Sequence, residues 1–242
     1  MMNWLPEFAL TSSECAGINS GNAVEMLRKA ARLVYQSDKF SKRGEFGELF
    51  LHAAIRQVHD SLPAISKLFY KSAVNDTVKG FDAVHVVGPP DAMELWLGEA
   101  KFYDDDVRAV RDVVAEIEQH MVTDYLRNEF LLIGNKLDDN WPHTQQLKRL
   151  LAQETSLDDV FKRACIPVLL TYNSKCLSSF NECCVKYENA FKLELTSIHN
   201  RFSSAIQTKS LPKEVRVHLF LMPLKDKAEL VKLLDGDLKR CQ

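Results

Sequence analysis

Three residues have types and spacing suited to chemistry: Asp82, Glu99 and Lys101. Asp82 lies in the run Gly80-Phe81-Asp82-Ala83-Val84-His85-Val86-Val87. Glu99 and Lys101 lie in Glu94-Leu95-Trp96-Leu97-Gly98-Glu99-Ala100-Lys101-Phe102-Tyr103. Both runs read as strands, and Gly88-Pro89-Pro90-Asp91 between them is a turn signal. Pairing them as a hairpin centred between Pro90 and Asp91 sets Asp82 opposite Glu99, Val84 opposite Leu97 and Gly80 opposite Lys101. Side chains alternate along a strand, so Asp82, Glu99 and Lys101 share one face. Directly opposed Cβ atoms stand about 5 Å apart. Two carboxylates that close repel, and the apolar neighbours Val84, Val86, Leu95 and Leu97 raise the cost. A divalent cation between them removes the conflict. Mg²⁺, a hard ion, binds through one or two carboxylates plus substrate phosphate. Lys101 would then orient or activate a water, or neutralise charge building on a phosphate. The pattern implies a metal-dependent phosphodiester hydrolase, and it depends on register, because a slip of one residue moves a carboxylate to the other face. The competing reading is a surface hairpin whose Glu99 and Lys101 are simply solvated. A second acidic-x-Lys triplet, Asp237-Leu238-Lys239, sits on a polar C-terminal helix with no hairpin partner and is set aside.

The remaining sequence must supply the scaffold. A chain of 242 residues suits one well-buried domain, read as residues 22–242 behind an irregular N-terminal arm, 1–21, that carries Pro6, Gly17 and Gly21. Net charge is −2, which disfavours coating nucleic acid by bulk charge but leaves a local basic groove open. The six cysteines form no C-x-x-C pair and read as reduced thiols of a cytoplasmic protein. No apolar run is long enough to cross a membrane, and no secretory signal is expected.

Asn22 is placed as the cap of a helix running to about Gln36. Ser37 to Gly44, with Lys39, Lys42 and Arg43, reads as a loop. A helix over 45–60 has an apolar side of Phe46, Leu49, Phe50, Ala53 and Val58, and a polar stripe of Glu45, Glu48, His52, Arg56 and His59. An edge strand is expected over Ile65–Ser72, with Lys67 and Lys71. One long helix is expected over Asp104–Lys136, its seam Val107, Val110, Val114, Ile117, Met121 and Tyr125. Shorter helices follow near His143–Gln153 and Leu157–Ala164. Ile166–Tyr172 reads as a buried strand, Tyr187–Gln207 as a helix, Val215–Met222 as a strand closed by Pro223, and Lys225–Leu234 as a helix. The order predicts an α/β fold with a mixed sheet flanked by helices.

The Asp82 strand followed by Glu99-Ala100-Lys101 resembles the core of PD-(D/E)XK nucleases. More narrowly, Arg43-Gly44-Glu45-Phe46-Gly47-Glu48, Gly80-Phe81-Asp82 and Gly98-Glu99-Ala100-Lys101-Phe102-Tyr103 together resemble the HamA family, nuclease subunits of Hachiman-type anti-phage defence systems, and the related AbpA proteins. The resemblance implies a PD-(D/E)XK-like mixed sheet. It implies Asp82 and Glu99 as metal ligands with the Ala100 carbonyl, Lys101 as the catalytic lysine, and Glu48 as the acidic helix residue completing the site, with Glu45 a weaker candidate. It implies Mg²⁺, with Mn²⁺ as a substitute, DNA as substrate, and a HamB-type superfamily-2 helicase as restraining partner.

The RecB-like branch carries a Gln and a Tyr four apart on the following helix. Gln119 and Tyr125 are six apart, so that motif is not assigned. His120 and Asp124 share a helical face; they are read as a structural pair, with contact to the substrate as the alternative. His85 is out of phase with Asp82 and reads as structural. Lys39, Lys42, Arg43, Lys67 and Lys71 are candidate phosphate contacts. Two functions are carried forward: a metal-dependent DNA nuclease in phage defence, and a catalytically idle nuclease-fold module that docks onto a helicase.

Overall fold

The structure is a computed structural model that describes residues 1–35, 44–66, 68 and 80–242. In chain order, a 3₁₀ turn (Met2–Trp4) leads to α1 (Leu5–Ala9), α2 (Ser12–Ala16), α3 (Ala23–Val34) and α4 (Glu45–His59). β1 (Leu62–Ser66), β2 (Ala83–Val87) and β3 (Glu94–Phe102) follow. Next come α5 (Asp106–His120), α6 (Thr123–Lys136), α7 (Thr144–Leu151), α8 (Leu157–Phe161) and β4 (Ala164–Asn173). The chain closes with α9 (Lys175–Ser179), α10 (Val185–Gln207), β5 (Arg216–Leu224) and α11 (Lys227–Arg240).

The strands form one five-stranded sheet in the order β1-β2-β3-β4-β5. β1, β2 and β3 are antiparallel neighbours, whereas β3, β4 and β5 are parallel. This is the mixed, helix-flanked sheet expected of a PD-(D/E)XK-like α/β fold. The parallel joins require helical crossovers, which α5–α8 and α9–α10 supply. β2 and β3 pair with Val84 opposite Leu97 and Ala83 opposite Gly98, the register read from the sequence. Beyond the strand assignment, the Asp82 N–H donates to the Gly98 carbonyl at 2.9 Å. The hairpin turn, from Gly88 to Ala92, is exposed.

Alternation along β3 divides the core. Trp96 and Ala100 pack with Leu51 and Ile55 of α4 and with Leu169 of β4. Leu95 and Leu97 pack on the other face with Leu126 and Phe130 of α6. On that same face α5 buries Val110, Val113 and Ile117 against Ile166, Val168 and Leu170 of β4. The approach of α4 to β3 is close at Gly47, where a Cβ would stand 2.8 Å from the Phe102 Cβ, so glycine is required there.

Several expectations are corrected. The N-terminal arm holds a 3₁₀ turn and the helices α1 and α2 rather than irregular chain: Leu5 and Phe8 are fully buried in a cluster with Phe46 and Leu49. Thr11 and Glu14 form a reciprocal capping box that starts α2. Asn22 stands at the N-cap of α3 as expected, but its side chain makes no capping bond; its Oδ1 accepts from the Asn19 N–H instead. On α4 the buried side is Phe46, Leu49, Leu51, His52 and Ile55, and Val58 is exposed.

The helix expected over 104–136 is broken at Met121 and Val122, where Val122 turns to extended backbone. β-Branched Val122 and Thr123 have low helix propensity, consistent with a break there. Val107 is exposed rather than part of the seam. β1 runs earlier than expected, and Lys67 and Lys71 lie outside the described residues, as do Lys39, Lys42 and Arg43. Pro223 does not end β5 but pairs with Tyr172 inside it, which is tolerated because β5 is an edge strand. The last helix runs on to Arg240.

Candidate active site

Asp82, Glu99 and Lys101 project from the sheet face covered by α5 and α6. The alternation that buries Leu95 and Leu97 there carries Glu99 and Lys101 to the same side. Asp82 is 4% exposed and its Oδ2 accepts from the Ala100 N–H at 2.8 Å, tying the β2 carboxylate to the β3 backbone. The Ala100 side chain packs on the α4 face instead.

Gly80 sets the entry of the chain to Asp82. Its φ is +144°, and a Cβ there would lie 2.8 Å from Oε2 of Glu129, a buried carboxylate of α6. Only glycine meets both conditions.

Glu99 is 0% exposed. Its Oε1 and His120 Nδ1 share a hydrogen bond of 2.6 Å. Its Oε2 is buried with no hydrogen-bond partner among the described residues. Burial, and then the charge of Asp82, push the Glu99 carboxyl up to about 7, against the opposing pull of His120. Burial alone would lower His120, but the hydrogen bond and charge of Glu99 outweigh it and hold the imidazole above its ordinary value. A proton is therefore retained on this pair to a higher pH than either group would manage by itself.

Lys101 is mostly buried and hydrogen-bonds Glu116 of α5. Burial lowers its pKa, yet the charges of Glu99, Asp82 and Glu116 together raise it, so the side chain stays an ammonium.

α5 meets this strand in register. Four residues of helix advance about 6 Å and two residues of strand about 6.7 Å. Glu116 and His120, four apart, therefore reach Lys101 and Glu99, two apart. The His120 ring meets two aromatic rings: Tyr125 stacks on it at 4.5 Å and 11°, and Phe81 meets it edge-on at 4.9 Å. On a continuous helix residues five apart diverge by about 140°; the break at Met121–Val122 makes the stack possible.

Sequence reasoning singled out His120 with the wrong partner and missed Glu116. It set His120 beside Asp124, whereas the histidine turns to Glu99. The available signal was an acid and a histidine four apart on the helix after β3, the spacing sought and not found with Gln119 and Tyr125.

Glu48 is half-buried on α4, which packs on the other face of β3. Among the described residues, no group of three or more His, Cys, Asp and Glu side chains stands together as a metal-holding cluster, so Asp82, Glu99 and Glu48 do not form one. The groups acting most strongly on Glu99 are Asp82, His120 and Glu116.

The rest of the polar stripe of α4 has another purpose. His52 is buried, and His52 Nε2 and Arg56 Nε both reach Glu7 Oε2, at 3.1 and 2.9 Å, joining α4 to α1. His85 faces away from Asp82 as expected. It is buried beside His52, with Nδ1 2.8 Å from the Ser61 hydroxyl.

The donor set fits a hard cation. A fully buried Glu99 with one orphaned oxygen, beside a second carboxylate, is costly without a positive charge. Asp82 and Glu99 would supply two oxygen ligands to such an ion, leaving other positions to a backbone carbonyl, water and a substrate phosphate.

No helix of the described residues is long and apolar enough to cross a membrane. Anti-bacteriophage protein A of Escherichia coli (strain K12) is 24% identical over 241 residues, covering 98% of this chain and 43% of that protein. This chain thus spans less than half the length of that relative. No solved structure matches. The model of the HamA family matches residues 1–238, which take in every element from the first helical turn through nearly all of α11, and the chain therefore belongs to the HamA family.

Proposed function

We propose that this chain is a metal-dependent DNA nuclease that acts in defence against bacteriophage and is restrained by a helicase partner. The observation that carries the reading is Glu99: a fully buried carboxylate with one oxygen left unsatisfied, next to Asp82, with the ammonium of Lys101 two residues along the same face. The defence context is supported by HamA membership and by the name of the relative in Escherichia coli. DNA, Mg²⁺ and the helicase are the parts that membership in this family brings to the proposal.

Asp82, Glu99 and the Ala100 carbonyl would hold Mg²⁺ or Mn²⁺, and Glu48 is the candidate to complete the set. When bound, the ion supplies Lewis-acid polarisation of a phosphoryl oxygen and a more acidic water. Lys101 is held protonated by its three acidic neighbours, so its role is to neutralise charge on the phosphate rather than to take a proton. The Ala100 N–H fixes the rotamer of Asp82, which keeps one of its oxygens in a set direction. The complete burial of Glu99 limits water around it and strengthens its interactions.

Purified chain is incubated with plasmid and with single- and double-stranded oligonucleotides in Mg²⁺ or Mn²⁺, beside Glu99→Gln and Lys101→Ala. Cleavage by the wild type alone supports the proposal; equal cleavage by all three assigns the activity elsewhere. Co-purification with a superfamily-2 helicase encoded nearby tests the partner.

One observation favours a second reading, an idle module that docks onto a helicase: the expected carboxylates do not stand as a three-membered metal cluster. Metal uptake separates the two. Calorimetry with no Mg²⁺ or Mn²⁺ binding, alongside normal complex formation, selects the module.

A further inference from the structure

We infer that His120 is a positioning residue for Glu99: by holding Oε1 it fixes the carboxylate so that Oε2 alone is presented for a cation. The inference rests on the nuclease reading above and adds to it a residue outside the proposed ligands.

Three observations carry it. His120 Nδ1 lies 2.6 Å from Oε1, within the range of a charge-assisted hydrogen bond, while Oε2 of the same carboxylate is buried and takes no hydrogen bond among the described residues. The two oxygens of Glu99 are thus already differentiated. Next, the imidazole is itself immobilised. It is 5% exposed, stacked on Tyr125 and met edge-on by Phe81, the residue before Asp82. A buried ring packed against two aromatic neighbours transmits a fixed direction to its partner, which a mobile surface histidine does not. Finally, the match of helix and strand spacing means that α5 addresses both ends of Glu99-Ala100-Lys101, with Glu116 on Lys101. Groups that orient a metal-binding carboxylate from outside the ligand set change affinity when removed, typically by about 10–100-fold.

The test compares His120→Phe and His120→Asn with the wild type. Phenylalanine preserves the aromatic packing and removes the donor; the asparagine amide nitrogen stands close to where Nδ1 stood. Mn²⁺ alone is titrated into metal-free protein by calorimetry, and kcat and KM for oligonucleotide cleavage are measured separately. Thermal melting confirms folding. The expected result is about 10–100-fold weaker Mn²⁺ binding and lower kcat with little change in KM for His120→Phe, and recovery of most of that loss in His120→Asn. A folded His120→Phe that binds Mn²⁺ and cleaves within about twofold of wild type, while Glu99→Gln loses both, overturns the inference and leaves the nuclease reading standing. A wild type that takes up no metal overturns both. If His120→Phe does not fold, His120→Gln decides against His120→Asn, because glutamine displaces the donor by one bond. Tighter Mn²⁺ binding by the asparagine variant supports the inference, and equal binding overturns it.

Discussion

Glu99 and His120 face each other across the junction of β3 and α5, Oε1 to Nδ1 at 2.6 Å, and neither side chain is more than slightly accessible to water. A strand carboxylate is thereby fastened to the helix that covers it. On the same helix Glu116 fastens Lys101, so that two polar contacts, a helical turn apart, connect the layers where the reaction is proposed to occur.

Glu99→Gln should separate stability from function. The substitution removes a buried carboxyl that burial and Asp82 already push toward its neutral form, and the amide oxygen still accepts from His120. The melting temperature of metal-free protein should stay level or rise, while Mg²⁺-dependent cleavage falls by at least about 100-fold. Loss of both together would assign Glu99 a structural role.

Glu48→Gln should act more mildly than Glu99→Gln. Glu48 belongs to the helix on the far face of β3 and does not form a three-residue metal cluster with Asp82 and Glu99. Removing it should cut cleavage by about tenfold and raise the Mg²⁺ concentration giving half the maximal rate, without abolishing activity. A loss as deep as that of Glu99→Gln would make Glu48 an equal ligand.

Gly80→Ala should destabilise the fold by about 1–3 kcal/mol, since alanine is strained at positive φ and its Cβ would press on the Glu129 carboxylate. Chemical denaturation checks this. Because Asp82 follows two residues later, cleavage by the folded fraction should fall as well.

Glu7 should govern part of the acid limit of stability. Burial raises its pKa, but hydrogen bonds from His52 and Arg56 and their charges outweigh burial and hold it below the ordinary carboxylate value of 4.5. The folded state therefore binds the Glu7 proton more weakly than the unfolded chain does. The resulting stabilisation is fully present above pH 4.5 and disappears as pH falls through the depressed value. Glu7→Gln should lose on the order of 1–2 kcal/mol near neutrality, with the difference from wild type vanishing in strong acid. A constant difference across the pH range would place the effect in packing instead.

The hairpin was legible because two short-range rules coincide in it. The Gly-Pro-Pro-Asp turn fixed its centre, and strand alternation then carried Asp82, Glu99 and Lys101 to one face, as the observed pairing of Val84 with Leu97 requires. The mixed sheet followed from element order. What stayed hidden depended on contacts distant in sequence. His52 and Arg56 stood only as members of a polar stripe until α1 brought Glu7 to them, and α1 itself, a helix of five residues, is too short for periodicity to announce it. The break at Met121–Val122 was masked by an apolar rhythm that continues through it, and without that break Tyr125 cannot reach His120. Glu116 gave no sign because one acid on an amphipathic helix resembles any other until the facing strand is known.

The exposed turn from Gly88 to Ala92 joins β2 and β3 at the end of the hairpin opposite Asp82 and Glu99. In an antiparallel pair, residues added at the tip lengthen the loop without altering which positions below it face each other. This corner of the molecule is therefore a natural place to graft an epitope, a fluorophore or a tether, and a reporter mounted there would follow the protein in a living cell while leaving the end that carries Asp82 and Glu99 untouched.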